Sequence, residues 1–162
     1  MYLIAITVGL CVAYFILLFL FWFFFENKKA EIPKNSFRSI ILIILLSLAG
    51  YVVVLNIPDL ELGNRFLHAF GGGFLAFMVC FLVVKDSTLP ITKFQFFVFS
   101  ALIVTALGVS NELLEFFLQH YFGLISSAST TDTWLDLLSN TVGSIIASTC
   151  FVPFISRKDS IE

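Results

Sequence analysis

The sequence predicts an all-α membrane protein, a five-transmembrane-helix bundle with its N-terminus outside and its C-terminus inside. Three observations carry that expectation. Hydrophobic residues make up 59% of the 162 residues and charged residues 12%, with a mean hydropathy of +1.02, against roughly 25% charged in an ordinary soluble domain. The apolar residues fall into five runs, each close to the roughly 20 residues that cross a bilayer as a helix. Lys and Arg gather in alternate connecting segments, the pattern that orients a multi-pass protein.

The first span is expected at Tyr2 to Phe25. It has no basic leading segment and no small-residue cleavage site, and it ends in a Phe/Trp-rich stretch, so it reads as a retained span and not a secretion signal. The second runs from Ser39 to Leu55 after Pro33, and the third from Phe66 to Val84 after Pro58 and Asp59. The fourth runs from Phe94 to about His120 after Pro90, and the fifth from Trp134 to Ile155 after the Ser/Thr run Ser126 to Thr133. Proline and short polar residues are the expected breakers and caps. Connections of about a dozen residues or fewer make neighbouring spans antiparallel within one bundle covering residues 1–162. There is no internal repeat, no heptad run and no nucleotide-binding glycine pattern, and nothing predicts a nucleic-acid partner. Cys11, Cys80 and Cys150 fall inside spans, where small apolar packing is the simpler expectation than disulfides or zinc binding.

Lys28, Lys29, Lys34 and Arg38 lie between spans one and two, Lys85 and Lys93 between three and four, and Arg157 and Lys158 after five. Arg65 alone of the nine basic residues lies on the other side. Basic residues are retained in the cytoplasm, so the segments Asn56 to Arg65 and Tyr121 to Thr133 are expected outside. The polar residues of the last three spans then sit near the outer surface: Asn64, Arg65 and His68; Asn111, Glu112, Glu115, Gln119 and His120; Asp132, Asp136 and Asn140. A rise of 1.5 Å per residue puts Asn140 about 12 Å inward from Asp132 and Glu112 about 12 Å inward from His120. Asn140 is thus expected level with Glu112, and Asp136 with Glu115.

Asp132, Asp136 and Asn140 are spaced i, i+4, i+8, on one helical stripe that Gly143 continues inward. Asp132 is expected to be the helix cap, accepting from free backbone N–H groups. Asp136 and Asn140 are too deep to cap, and a carboxylate facing lipid costs roughly 2.5–3.5 kcal/mol, so both should face the bundle interior. For Asn140, a close-packing seam with Gly143, Ser144 and Ala147 stands beside a role in binding. Glu112 and Glu115 share a face, and their repulsion at low dielectric calls for a cation, a shared proton or a basic partner. An ion pair from Glu115 to Arg65 is one solution. After His68 come Gly71, Gly72 and Gly73, which allow close approach of a neighbouring helix or of a lipid. His68, Glu112, Glu115 and Asp136 together have the ligand types of a divalent cation site, without any established metal-ligand spacing.

These residues carry a resemblance. Asn64-Arg65-Phe66-Leu67-His68, Asn111-Glu112-Leu113-Leu114-Glu115-Phe116, and Asp132-Thr133-Trp134-Leu135-Asp136 continuing to Asn140-Thr141-Val142-Gly143 resemble the VanZ-like family of small bacterial membrane proteins. The similarity covers about residues 59–155, with Asn64 and the Ser/Thr-rich segment departing from the pattern. The second glutamate and the Asp-Thr-Trp-Leu-Asp run also resemble a related group of uncharacterised bacterial inner-membrane proteins. Either resemblance implies a multi-pass protein of the bacterial plasma membrane, and the first a link in some members to tolerance of the glycopeptide teicoplanin. Neither implies a reaction.

The expected function is binding: an outward-facing polar pocket formed by Arg65, His68, Glu112, Glu115, Asp136 and Asn140 that engages a membrane lipid of the cell envelope or its headgroup. Arg65 is expected to meet a phosphate or carboxylate of the ligand, and spans one and two are expected to be scaffold or lipid-facing. One alternative is an intramembrane hydrolase or transferase acting on a lipid with metal or acid/base assistance. Another is a small transporter or a subunit of a larger membrane complex, which would need a homo-oligomer to enclose a pathway.

Overall fold

The computed structural model describes residues 2–25, 32–123 and 130–155. Lys28, Lys29, Arg157, Lys158 and the Ser126 to Ser129 part of the Ser/Thr run lie outside the described residues. The elements are α1 (Tyr2–Phe25), α2 (Ser36–Leu55), α3 (Leu60–Leu67), a π-helical segment (His68–Leu75), α4 (Ala76–Ser87), α5 (Lys93–Phe122), α6 (Thr130–Phe151) and a closing 3-10 turn (Val152–Phe154). No strand occurs among the described residues. The five helical spans are long and apolar enough to cross a membrane, with α3, the π segment and α4 running on as the third, Leu60–Ser87.

Local chemistry explains where the spans begin and end. The third begins at Leu60, earlier than the expected Phe66, because the Asp59 carboxylate accepts from the backbone N–H groups of Glu61 and Leu62. α5 starts at Lys93 behind a Thr92/Gln95 capping box and stops at Gly123, whose φ of 66° closes the helix in the left-handed conformation. α6 is already helical at Thr130, ahead of the expected Trp134. This corrects the reading of Asp132 as the helix cap. It lies inside the first turn, where its charge complements the positive helix end and its side chain is drawn to Arg65 instead.

The third span is the axis of the bundle: 61% of it is buried, against 28% or less in each of the other four. Much of the phenylalanine content serves it. Phe66, Phe70 and Phe74 stack in sequence at 5.6 and 5.7 Å between ring centroids, and Phe74 and Phe81 both meet Phe151. Lys34, Arg38, Lys85 and Lys93 mark one end of the bundle and Arg65 the other.

Two features tie the helices together. At the lysine end, the buried Tyr14 hydroxyl lies 2.6 Å from Asp86 Oδ2 and 2.9 Å from Ser36 Oγ, and Ser39 Oγ donates to the same Asp86 oxygen at 2.6 Å. Spans one and two are therefore held to the third through a polar cluster, where the sequence suggested featureless scaffold. At the other end the π segment and α6 meet backbone to backbone. A Cβ on Gly143 would fall onto the Ala69 carbonyl, and one on Gly73 onto the Asn140 carbonyl and within 2.8 Å of Gly143 Cα. Without a water-driven hydrophobic force between helices in lipid, close packing of this kind is a principal source of association.

Gly143→Ala places its methyl against backbone that no rotamer change can move. We expect a loss of about 3 kcal/mol, read as a fall in thermal stability in detergent. Gly9→Ala, where an added Cβ meets nothing within 4 Å, is expected to be neutral or stabilising by about 1 kcal/mol.

Candidate functional site

The site is assembled by stripes on two helices and the start of a third span. On α5 the buried residues Ser100, Val104, Gly108 and Glu112 recur every four positions, with Glu115 one turn on. That recurrence is one helical face, so both glutamates continue a stripe already committed to the interior. On α6 the buried residues are Asp136, Asn140, Gly143 and Ala147, again a single face. The third span contributes Asn64 and Arg65 from α3 and His68 from the first position of the π segment.

Asp136, 1% exposed, is the hub. Its Oδ1 receives Arg65 Nη1 at 2.5 Å and Asn64 Nδ2 at 3.2 Å, and lies 3.4 Å from His68 Nε2. Arg65 also pairs with the Asp132 carboxylate and donates to the Asp132 carbonyl at 3.2 Å, with Glu61 3.5 Å away on the exposed side. The guanidinium is thus engaged within the protein. The expected ion pair of Arg65 with Glu115 is not formed, because the stripe of α6 offers two carboxylates on the same side as Arg65. Glu115 instead accepts from Asn111 Nδ2 at 2.8 Å.

The other face of the imidazole looks at α5. His68 Nδ1 lies 4.0 Å from Glu112 Oε1, and ligand atoms of His68, Glu112 and Glu115 all lie within 4.8 Å of one another. Glu112 is 8% exposed, yet neither of its carboxylate oxygens has a hydrogen-bond partner among the described residues. Asn140 sits in a slot between glycines: its side chain occupies the space a Cβ on Gly72 would take and stands 3.0 Å from that of Gly108. Its Oδ1 is buried and has no hydrogen-bond partner among the described residues. Asn140 therefore stands beside Gly108, one turn along α5 from the Glu112 expected beside it, an offset set by how α5 and α6 are shifted along one another.

A cavity of about 190 Å³ opens beside this cluster. Its polar end is lined by Asn64, His68, Asn111, Glu115 and Asn140. Its apolar wall comes from Ile6, Gly9, Leu10 and Ala13 of α1 and from Leu107 and Gly108 of α5, with Gly71 and Gly72 as its floor. Arg65, Glu112 and Asp136 stand behind this lining. His120 and Gln119 do not join the site: both are exposed, and the His120 ring stacks on Phe116 at 5.7 Å. The contribution of α1 was not legible beforehand, since Gly9 and Ala13 in an apolar run look like any small residues of a span.

Compared with known families, residues 3–157 match the one described as predicted membrane protein, DUF2238. The chain belongs to the DUF2238 family. No curated protein and no solved structure matches it. The DUF2238 match takes in α1 and α2, which the residues quoted for the VanZ-like resemblance leave aside, so the family spans both walls of the cavity. The VanZ-like resemblance rests on residue pattern alone.

The Arg65 contacts set a stability prediction. Arg65→Met leaves the buried Asp136 and the half-buried Asp132 without their cation, and we expect a loss of about 3–5 kcal/mol. Thermal unfolding in detergent should show Arg65→Met/Asp136→Asn recovering part of that loss, because the second change removes the charge left uncompensated.

Proposed function

We propose that this DUF2238 protein binds a membrane lipid, with a chain segment against the α1, π-segment and α5 wall and its polar head at His68, Glu115 and Asn140. The observation that carries this reading is the continuity of the cavity. One end is glycine, alanine and aliphatic surface, the other a histidine, a glutamate and three amides, and few solutes other than an amphiphile offer both chemistries at once. At about 190 Å³ the cavity is smaller than the roughly 300–1,000 Å³ of small-molecule pockets. It suits part of a ligand whose remainder lies in the bilayer.

Unsatisfied polar atoms give the head its attachment points. The Asn140 Oδ1 and the Glu112 oxygens are buried and have no hydrogen-bond partner among the described residues, and a buried acceptor without a donor costs about 1–3 kcal/mol, a cost that a donor or cation from a ligand would remove. Arg65, already paired with Asp132 and Asp136, holds the frame of the site and is not assigned to the ligand. The distribution of Lys34, Arg38, Lys85 and Lys93 opposite Arg65 favours an outward-facing site in a bacterial plasma membrane. A link to glycopeptide tolerance would follow if the lipid were an envelope precursor.

Native mass spectrometry from gentle detergent tests the proposal. The wild-type protein is expected to retain a lipid-sized adduct. Gly9→Leu, which adds bulk to the cavity wall at a position where an added Cβ meets nothing within 4 Å among the described residues, should lose it at least tenfold without a lower unfolding temperature. Equal retention in both would refute binding in this cavity. For orientation, a reporter fused to the C-terminus is expected to be active in the cytoplasm, and activity on the outer side would overturn the outward-facing site.

A further inference from the structure

We propose that His68, Glu112 and Glu115 form a binding site for a divalent first-row transition-metal ion. The site shares His68, Glu112 and Glu115 with the lipid proposal but makes no use of the apolar cavity wall, so Gly9→Leu tests the two apart. Three donor atoms from two elements, the π segment and α5, already lie within 4.8 Å of one another. An ion bound at about 2.0–2.1 Å needs donors no more than about 4.2 Å apart, and the His68 Nδ1 to Glu112 Oε1 separation is 4.0 Å. Small side-chain rotations complete the set.

Glu112 supplies a second and independent argument. It is 8% exposed, both its oxygens lack a hydrogen-bond partner among the described residues, and one of them faces the imidazole. Around it, Glu115 and Asp136 bring further carboxylates, whereas the guanidinium of Arg65 is committed to Asp136 and Asp132. Protonation would remove the charge of Glu112 and turn one oxygen into a donor but leave the other acceptor unmet, whereas a bound cation compensates the charge and can be met by both oxygens.

The histidine is also held as a metal ligand is held. Metal-bound imidazoles usually donate the other ring N–H to a carboxylate, which fixes the tautomer and turns the lone pair toward the ion. Here Nε2 faces Asp136 Oδ1 at 3.4 Å, and Asp136 is itself anchored by Arg65 and Asn64. That leaves Nδ1 directed at Glu112. Asp136 thus acts as a positioning residue for His68. One imidazole with two carboxylates suits Zn²⁺ and its neighbours better than Mg²⁺ or Ca²⁺, which prefer all-oxygen sites. His68 and Glu115 also line the cavity.

The test uses the full chain in detergent, stripped with a chelator and then incubated with Zn²⁺ alone and gel-filtered. Wild type is expected to retain about one Zn²⁺ per chain by elemental analysis and to unfold at a higher temperature when loaded, while Glu112→Gln and His68→Gln retain at most a tenth as much. With Co²⁺ as a spectroscopic probe, wild type should show visible d–d absorption and Glu112→Gln none. Gly9→Leu should keep the metal even as it loses the lipid, so the two proposals fail separately. No retention by wild type, or equal retention by wild type and Glu112→Gln, would overturn the site. So would a Glu112→Gln protein more stable than wild type with and without Zn²⁺, since that is the signature of an unpaired acid removed. Loss of Zn²⁺ in Gly9→Leu would also overturn it, by showing that the ion belongs to the lipid.

Discussion

Everything at the polar end of the bundle depends on the backbone contact between the π segment and α6. Gly143 against the Ala69 carbonyl, and Gly73 against the Asn140 carbonyl, bring two helices closer than any side chain would allow. Only at that separation can Asp136 reach Arg65, Asn64 and His68 together. The same approach buries Asn140 in the glycine slot. The glycines are thus the reason the polar cluster exists as a cluster, and the wider π turn offsets His68 from the α-helical path that precedes it. Such π segments often mark functional positions.

The two polar clusters of the protein differ in a way that separates structure from function. At the lysine end, Asp86 gathers the hydroxyls of Tyr14 and Ser39, with Ser36 closing the group, and its role in joining α1 and α2 to the third span is complete. At the arginine end, Asp136 is equally well supplied, but Glu112 and Asn140 are left with buried acceptors. A low-dielectric interior strengthens satisfied networks and penalises unsatisfied ones. The persistence of unsatisfied acceptors beside a cavity is therefore the feature that distinguishes a site from a fastening, and both proposals start from it.

The arginine shows how a plausible sequence reading can be redirected by geometry. A lone basic residue among carboxylates invites assignment to an anionic ligand, yet Arg65 is enclosed by Asp132 and Asp136, with Glu61 at its exposed edge. Its guanidinium offsets one of the two α6 carboxylates and holds the outer ends of α3 and α6 together. With Glu112 and Glu115 on α5 the carboxylates outnumber it, and that imbalance favours a cation.

Much of the fold was legible in the sequence, because the length of an apolar run and the need to satisfy backbone groups within lipid leave helices of membrane-spanning length as the outcome. The five spans, the inward direction of Asp136 and Asn140, and the shared face of Glu112 and Glu115 follow from period and hydropathy. The sequence did not locate the true starts of the third and fifth spans, where Asp59 caps and Thr130 is already helical, nor did it reveal the π segment. Partners could not be read from it either. Which carboxylate Arg65 takes, the one-turn offset of Asn140 from Glu112, and the wall that Gly9 and Ala13 of α1 lend to the cavity depend on how helices are rotated and how closely they approach. Hydropathy along one chain records burial, whereas contact between helices is set by the shapes of both, and only the tertiary structure brings those together.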